Sequence, residues 1–187
     1  RGASHGWFAA VGAEGGPIEY AHYTLCGAAA FVFACASRRS NLRDVFALAA
    51  YGAALGVIRE ADAFLDKAVF PGAYKVPAAL AGALALLRAR RARGVLGEQF
   101  ARWMATPSFA VTVSGVFVVL VYAQIVGQKE LWQTVMGGAY LRPVKDVAEE
   151  MQELIGYFFI FFGAVESYVL ALASRPPEII DAKPGLK

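Results

Sequence analysis

Cysteine and histidine are scarce in this chain, two of each among 187 residues, and charge is sparse too, with Asp, Glu, Lys and Arg together at 18%. The cysteines, Cys26 and Cys35, fall in one apolar stretch, roughly 13 Å apart along a helix, so they cannot pair with each other and read as small buried hydrophobes. That excludes a disulfide framework and a Cys-rich zinc site. His5 lies in a Gly-rich leader and reads as solvated, which leaves His22 alone among the apolar segments and rules out a multi-haem cytochrome. No Walker loop and no Ser-His-Asp order is present. The basic runs carry no interleaved aromatics, which excludes nucleic acid as a partner.

What is abundant is apolar sequence. Hydrophobic residues make up 58% of the chain, and the mean hydropathy is +0.47. Both values lie outside the usual range for a soluble domain of this size. Matching long apolar runs to the roughly 20 residues that cross a ~30 Å hydrocarbon core predicts five spans, at 18–37, 44–65, 74–87, 108–127 and 154–173. The expected fold class is therefore all-α, a single integral membrane helical bundle over 1–187. The third span is short and contains Pro77 near its start, so it is expected to tilt or sit partly against its neighbours. The second is expected to continue as one helix through Arg59-Glu60-Ala61-Asp62 to Lys67. An arginine-rich loop should follow the third span, with Trp103 as an interfacial anchor, and the last span should form one helix from Val144 to Ala173. Stripes of small residues, Gly27 to Ala30 in the first span and Ala49, Ala53 and Gly56 in the second, predict close helix approach.

Orientation follows from the basic residues. Arg38, Arg39, Arg43, Arg88, Arg90, Arg91, Arg93, Arg102, Arg175, Lys183 and Lys187, eleven of the 18 Lys and Arg, fall on one side of the predicted bundle. By the positive-inside rule that side is cytoplasmic, with the N-terminus outside and the C-terminus inside, as for a bacterial inner-membrane protein. No signal peptide is legible in the first 17 residues, which lack a basic n-region. The basic face is matched to anionic membrane lipid.

The acidic residues gather at the opposite end. Glu19 and His22 are three apart, as are Glu150 and Glu153, which puts each pair on one helical face. With Glu60 and Asp62 from the second span they form a candidate metal-ligand set of Glu19, His22, Glu60, Asp62, Glu150 and Glu153, suited to a divalent or di-metal centre of Fe, Mn or Zn. The arrangement partly resembles the di-iron carboxylate bundles, in which two helices each supply a Glu-x-x-His pair and two others single Glu ligands. Only Glu19-x-x-His22 matches that pattern, so a single-metal site, a carboxylate site for Mn or Ca, and no metal all stay open. Arg59, Glu149, Tyr157 and Glu166 are further candidates: Arg59 to pair with Asp62, Lys145 to pair with Glu149, Tyr157 to orient Glu153, and Glu166 as a mid-span acid that must be protonated or paired.

At Arg59-Glu60-x-Asp62 and at Glu149-Glu150-x-x-Glu153-Leu154-x-Gly156-Tyr157 the chain resembles a set of bacterial polytopic inner-membrane proteins that have no assigned activity. That resemblance implies a fold and a location, and no catalytic residue. Three functional readings follow from the residues: a carboxylate and histidine site for a metal or cationic group, an accessory subunit packing through its small-residue stripes against other membrane proteins, and proton-coupled transport using Glu166. If the metal site is catalytic, a metal-activated water or oxygen species is its reactive agent.

Overall fold

The computed structural model describes residues 16–173, and all of their regular structure is helical. His5, the basic Arg175, Lys183 and Lys187, and the acidic Glu178 and Asp181 lie outside the described residues.

Helix α1 (Pro17–Ser37) opens with Gly16 extended and Pro17 in the first position, where its missing N–H costs nothing. Helix α2 (Arg43–Glu60) begins differently. The first two N–H groups of interest, those of Asp44 and Val45, are taken up by Gln99 Oε1 at 2.9 and 3.3 Å, from a residue 55 positions away, while Ser40 Oγ only accepts the Leu42 N–H. The expected single helix through Lys67 is broken. The chain turns at Ala61, and a separate short helix α3 (Asp62–Ala68) starts with the Asp62 carboxylate accepting the Ala63 N–H at 2.5 Å. Gly72, at φ +83, makes the next turn, a conformation that L side chains rarely adopt.

Helix α4 (Lys75–Met104) absorbs both the predicted third span and the arginine-rich loop after it. Arg and Ala are good helix formers and nothing between Ala78 and Met104 breaks the pattern, so the basic run stays helical. Trp103 is not an interfacial anchor. It is 6% exposed, its indole N–H donates to Ser108 Oγ at 3.1 Å, and it meets Phe33, Phe46 and Phe109 edge-on. Such pairs contribute about 0.5–1.5 kcal/mol each beyond area burial.

Helix α5 (Pro107–Val126) contains one π-helical turn at Val118–Tyr122. The expected loop after it holds an amphipathic helix, α6 (Lys129–Met136), whose Trp132 donates to the Val126 carbonyl. Helix α7 (Arg142–Ala173) is a single element of 32 residues, about 48 Å by helical rise, as expected of the last segment.

Three of these helices, α1, α5 and α7, are long and apolar enough to cross a membrane. The segments expected as second and third spans do not join them: α2 carries Arg43, Asp44, Arg59 and Glu60 at its ends, and α4 is studded with arginine.

The helices pack in the spatial order α4, α2, α1, α7, α5, with α4 and α5 meeting again near their junction. The α5–α7 seam is the tightest. A Cβ on Gly156 would lie 2.5 Å from Val119 Cγ2, and one on Gly115 would lie 2.5 Å from the Gly156 carbonyl oxygen. Gly115, Gly156 and Gly163, outside the two stripes expected from sequence, make this seam, while Ala29 and Ala53 of those stripes are buried in the core with Ala30 and Ala49 packed against it. Of those stripes, Gly56 does sit against Cys26, and Gly27 faces open space. An aromatic and alanine core fills the end of the bundle near Phe33, Phe46 and Trp103, and a smaller cluster of Cys26, Val119 and Tyr157 underlies the other end.

Candidate metal centre

Packing α1 against both α2 and α7 brings the last turn of α2 and the polar third of α7 onto the first turns of α1. His22, fully buried, is the centre of what results. Its Nδ1 is 3.3 Å from Glu60 Oε2 and 3.6 Å from Glu150 Oε2, and its Nε2 is 3.1 Å from the backbone carbonyl of Glu150. A carbonyl only accepts, so Nε2 donates to it; an ionised carboxylate only accepts as well, so Nδ1 donates to Glu60 while the ring is protonated and turns a lone pair to the carboxylates once that proton leaves. A backbone tether of this kind on one ring nitrogen is the usual way in which the other is held for a metal.

His22, Glu60 and Glu153 each place one ligand atom within 4.8 Å of the others, from three different helices. The Glu60 and Glu153 side chains are 10% and 7% exposed. Arg59 spans the two carboxylates, with Nη1 2.7 Å from Glu60 Oε1 and Nη2 3.3 Å from Glu153 Oε1. Tyr157 donates to Glu60 Oε1 at 2.6 Å, and Gln124 Nε2 donates to Glu153 Oε1 at 3.3 Å. The π-helical turn ends two residues before Gln124 and supplies Val119 to the cluster beneath Tyr157.

Of the six expected ligands, the structure brings together His22, Glu60 and Glu153, with Glu150 alongside. Glu19 accepts from Tyr23, whose hydroxyl also lies 2.9 Å from the Glu60 carbonyl, so Glu19 braces the end of α2 and is not among the grouped ligand atoms. Asp62 is exposed and occupied with the start of α3; two positions beyond Glu60, it lies on the opposite side of the helix. Arg59 therefore pairs with Glu60 and Glu153, in place of the expected Asp62. Tyr157 orients Glu60, in place of the expected Glu153. Glu149 pairs with Lys145 at 2.6 Å, as its spacing implies, and packs over Gly127. Glu166 is half-buried, about 20 Å along α7 from Glu153 by helical rise, and stands apart from the cluster. Tyr23 escaped the sequence reading, its four-residue step from Glu19 being the legible signal; Gln124 stands out in the sequence as the main polar residue of its apolar segment, near the outer end, but is not tied there to the site.

The chain matches no known protein family, curated protein or solved structure. The chemistry of the site has to be read from its own charges. Three carboxylates, Glu60, Glu150 and Glu153, face one guanidinium and one imidazole. With all three acids ionised and the imidazole neutral, the group carries a net charge of −2 around a fully buried ring. A single divalent cation brings that to zero, and so do two protons. His22, Glu60 and Glu153 are shielded from water, whereas Glu150 is 34% and Arg59 49% exposed, so solvent screens part of this charge and a cation or protons compensate the rest.

An apolar crevice of about 960 Å³ between α2, α4 and α5 leads up to this group. Gly52 and Gly56 line it on the α2 side and Val116 and Leu120 on the α5 side, and it reaches Arg59 and Tyr157.

Proposed function

We propose that this protein is a membrane-embedded helical bundle that holds one divalent first-row transition ion between His22, Glu60 and Glu153. The observation that carries the proposal is the buried convergence of an imidazole and two carboxylates from three helices, with the imidazole's other nitrogen tied to a backbone carbonyl. One nitrogen and two oxygens suit Mn, Fe or Zn better than Ca, which takes oxygen ligands. The site is mononuclear: among the described residues it has one histidine, and Glu19 and Asp62 are engaged elsewhere. Three protein ligands, with Glu150 beside them, leave a coordination position for water or a reactant, the pattern of catalytic more than of structural sites.

Membrane embedding is supported by three sufficiently apolar helices and by large side chains that project outward from them, among them Phe31, Phe117, Leu120, Phe158 and Phe162. The separation of the acidic site from the arginine-rich end supports an orientation with the site on the outer side.

A second reading has its own observation: Arg59 already bridges Glu60 and Glu153, so the cluster can be an ion-paired polar cap. Elemental analysis of the untagged protein, purified without chelator and after incubation with Mn, Fe or Zn, separates the two. The metal reading expects close to one ion per chain, lost in both His22→Ala and Glu153→Gln while helicity is retained. Wild-type protein that takes up none of the three ions leaves only the polar cap.

A further inference from the structure

The opposite end of the bundle holds a second cavity, about 940 Å³, that shares no residue with the metal site. Arg38, Arg39 and Arg43 reach it from the α1–α2 connection and Arg88 from α4. We infer that it binds an anionic phospholipid, with the phosphate among these arginines and an acyl chain along the alanine wall between α1 and α2.

Sequence places these arginines in two separate runs, and only the fold unites them. Among the described residues the acid paired with them is Asp44, so four positive charges face one negative charge at the mouth. Asp44 serves to position an arginine more than to neutralise the pocket. It is buried, one oxygen accepts from Gln99 at 3.0 Å, and the other accepts from Arg88 Nε at 2.7 Å. That bond fixes Arg88 through Nε and leaves its terminal amino groups for a ligand. Arg39 is likewise held, stacked 5.3 Å over the Tyr168 ring and donating to its hydroxyl. Guanidinium groups held in place match the paired oxygens of a phosphate better than freely moving ones, because less freedom is lost on binding.

The inner wall of the cavity decides between a lipid and a soluble phosphate. Ala30 and Ala34 of α1 and Ala47, Ala50 and Ala54 of α2 line it. By helical rise, Ala30 lies about 12 Å from Arg38 and Ala54 about 16 Å from Arg43. The trough thus runs about 12–16 Å from the charged mouth, close to half of a ~30 Å hydrocarbon core, the depth of one leaflet. A free phosphate or a nucleotide would leave it unfilled, whereas one acyl chain occupies it. Basic pockets between helices on the positive side of a membrane protein suit such headgroups.

The test is native mass spectrometry of the full chain in detergent, titrated with phosphatidylglycerol or phosphatidylcholine of the same acyl chains. Phosphatidylglycerol should bind at least tenfold more tightly. Arg38→Gln/Arg43→Gln should remove most of that preference, Ala50→Leu should weaken binding with the charge unchanged, and the charge-matched Arg90→Gln/Arg91→Gln, outside the pocket, should leave it intact. Circular dichroism establishes that each variant is folded. Equal binding of the two lipids, or an equal loss in the Arg90/Arg91 control, would overturn the assignment. So would displacement of the lipid by millimolar inorganic phosphate with no effect of Ala50→Leu, which would mark a soluble-anion site, or a change of oligomeric state in Ala50→Leu with lipid binding unaltered, which would mark a helix-docking face.

Discussion

Replacing Arg59 by glutamine should tighten metal binding while destabilising the metal-free protein, an outcome that a purely structural ion pair does not produce. The guanidinium contacts two of the ligand carboxylates at 2.7 and 3.3 Å, and the ligand atoms lie within 4.8 Å of one another, so an ion held there is roughly 5 Å from it. Repulsion between a divalent and a monovalent cation at that distance is about 1.7 kcal/mol even with the screening of bulk water, and larger in a half-buried site. Loss of that repulsion corresponds to an affinity gain of at least about tenfold. Without metal, the same change removes a charge-assisted partner from Glu60 and Glu153. Arg59 is half-exposed, which limits the cost to about 1–3 kcal/mol, and glutamine keeps a donor in place. Thermal unfolding in detergent, with and without a saturating ion, reads both terms. The variant should melt lower than wild type when metal-free and show the larger upward shift on adding metal. A variant that binds the ion no better than wild type, or more weakly, refutes the charge argument on which the metal assignment rests.

The helix seam and the long-range contacts offer further checks. Gly115→Ala puts a Cβ 2.5 Å from the Gly156 carbonyl and 2.8 Å from Ile160 Cγ1, so α5 must move off α7; overpacking should cost about 1–3 kcal/mol in spite of alanine's better helix propensity, whereas Gly27→Ala, with open space around it, should be neutral or stabilising by up to about 1 kcal/mol, both read from denaturation in mixed micelles. Gln99→Ala strips the N–H groups of Asp44 and Val45 of their acceptor and Asp44 of a donor, and should cost about 1–3 kcal/mol, measured the same way. Metal affinity should rise with pH, because an ion displaces protons from the imidazole and carboxylates and the neutral group exchanges two protons for one divalent charge; isothermal titration in buffers of different ionisation enthalpy counts the protons, and a count of zero contradicts the charge balance.

Much of this protein is legible in its order of residues. Apolar runs with their flanking prolines and glycines define α1, α5 and α7, because crossing a hydrocarbon layer is a requirement on composition and length that a one-dimensional scan can test. The three-residue steps from Glu19 to His22 and from Glu150 to Glu153 marked the right helices for a polar site, and the spacing of Lys145 and Glu149 gave their pair.

Tertiary structure decided which of those acids matter. Asp62 is taken up by the start of α3, Tyr23 holds Glu19 at the rim, and Glu60, 38 positions from His22, comes within 3.3 Å of it only because α1 packs on α2. The arginine pocket has the same origin, since Arg88 and the 38–43 connection meet only when α4 folds back on α2. Helical periodicity reports on neighbours within a turn or two, whereas a ligand set drawn from three helices depends on their relative rotation and register. Those are set by glycine contacts such as Gly115 on Gly156 and by side-chain bonds such as Gln99 to the start of α2, and neither leaves a local mark in the chain.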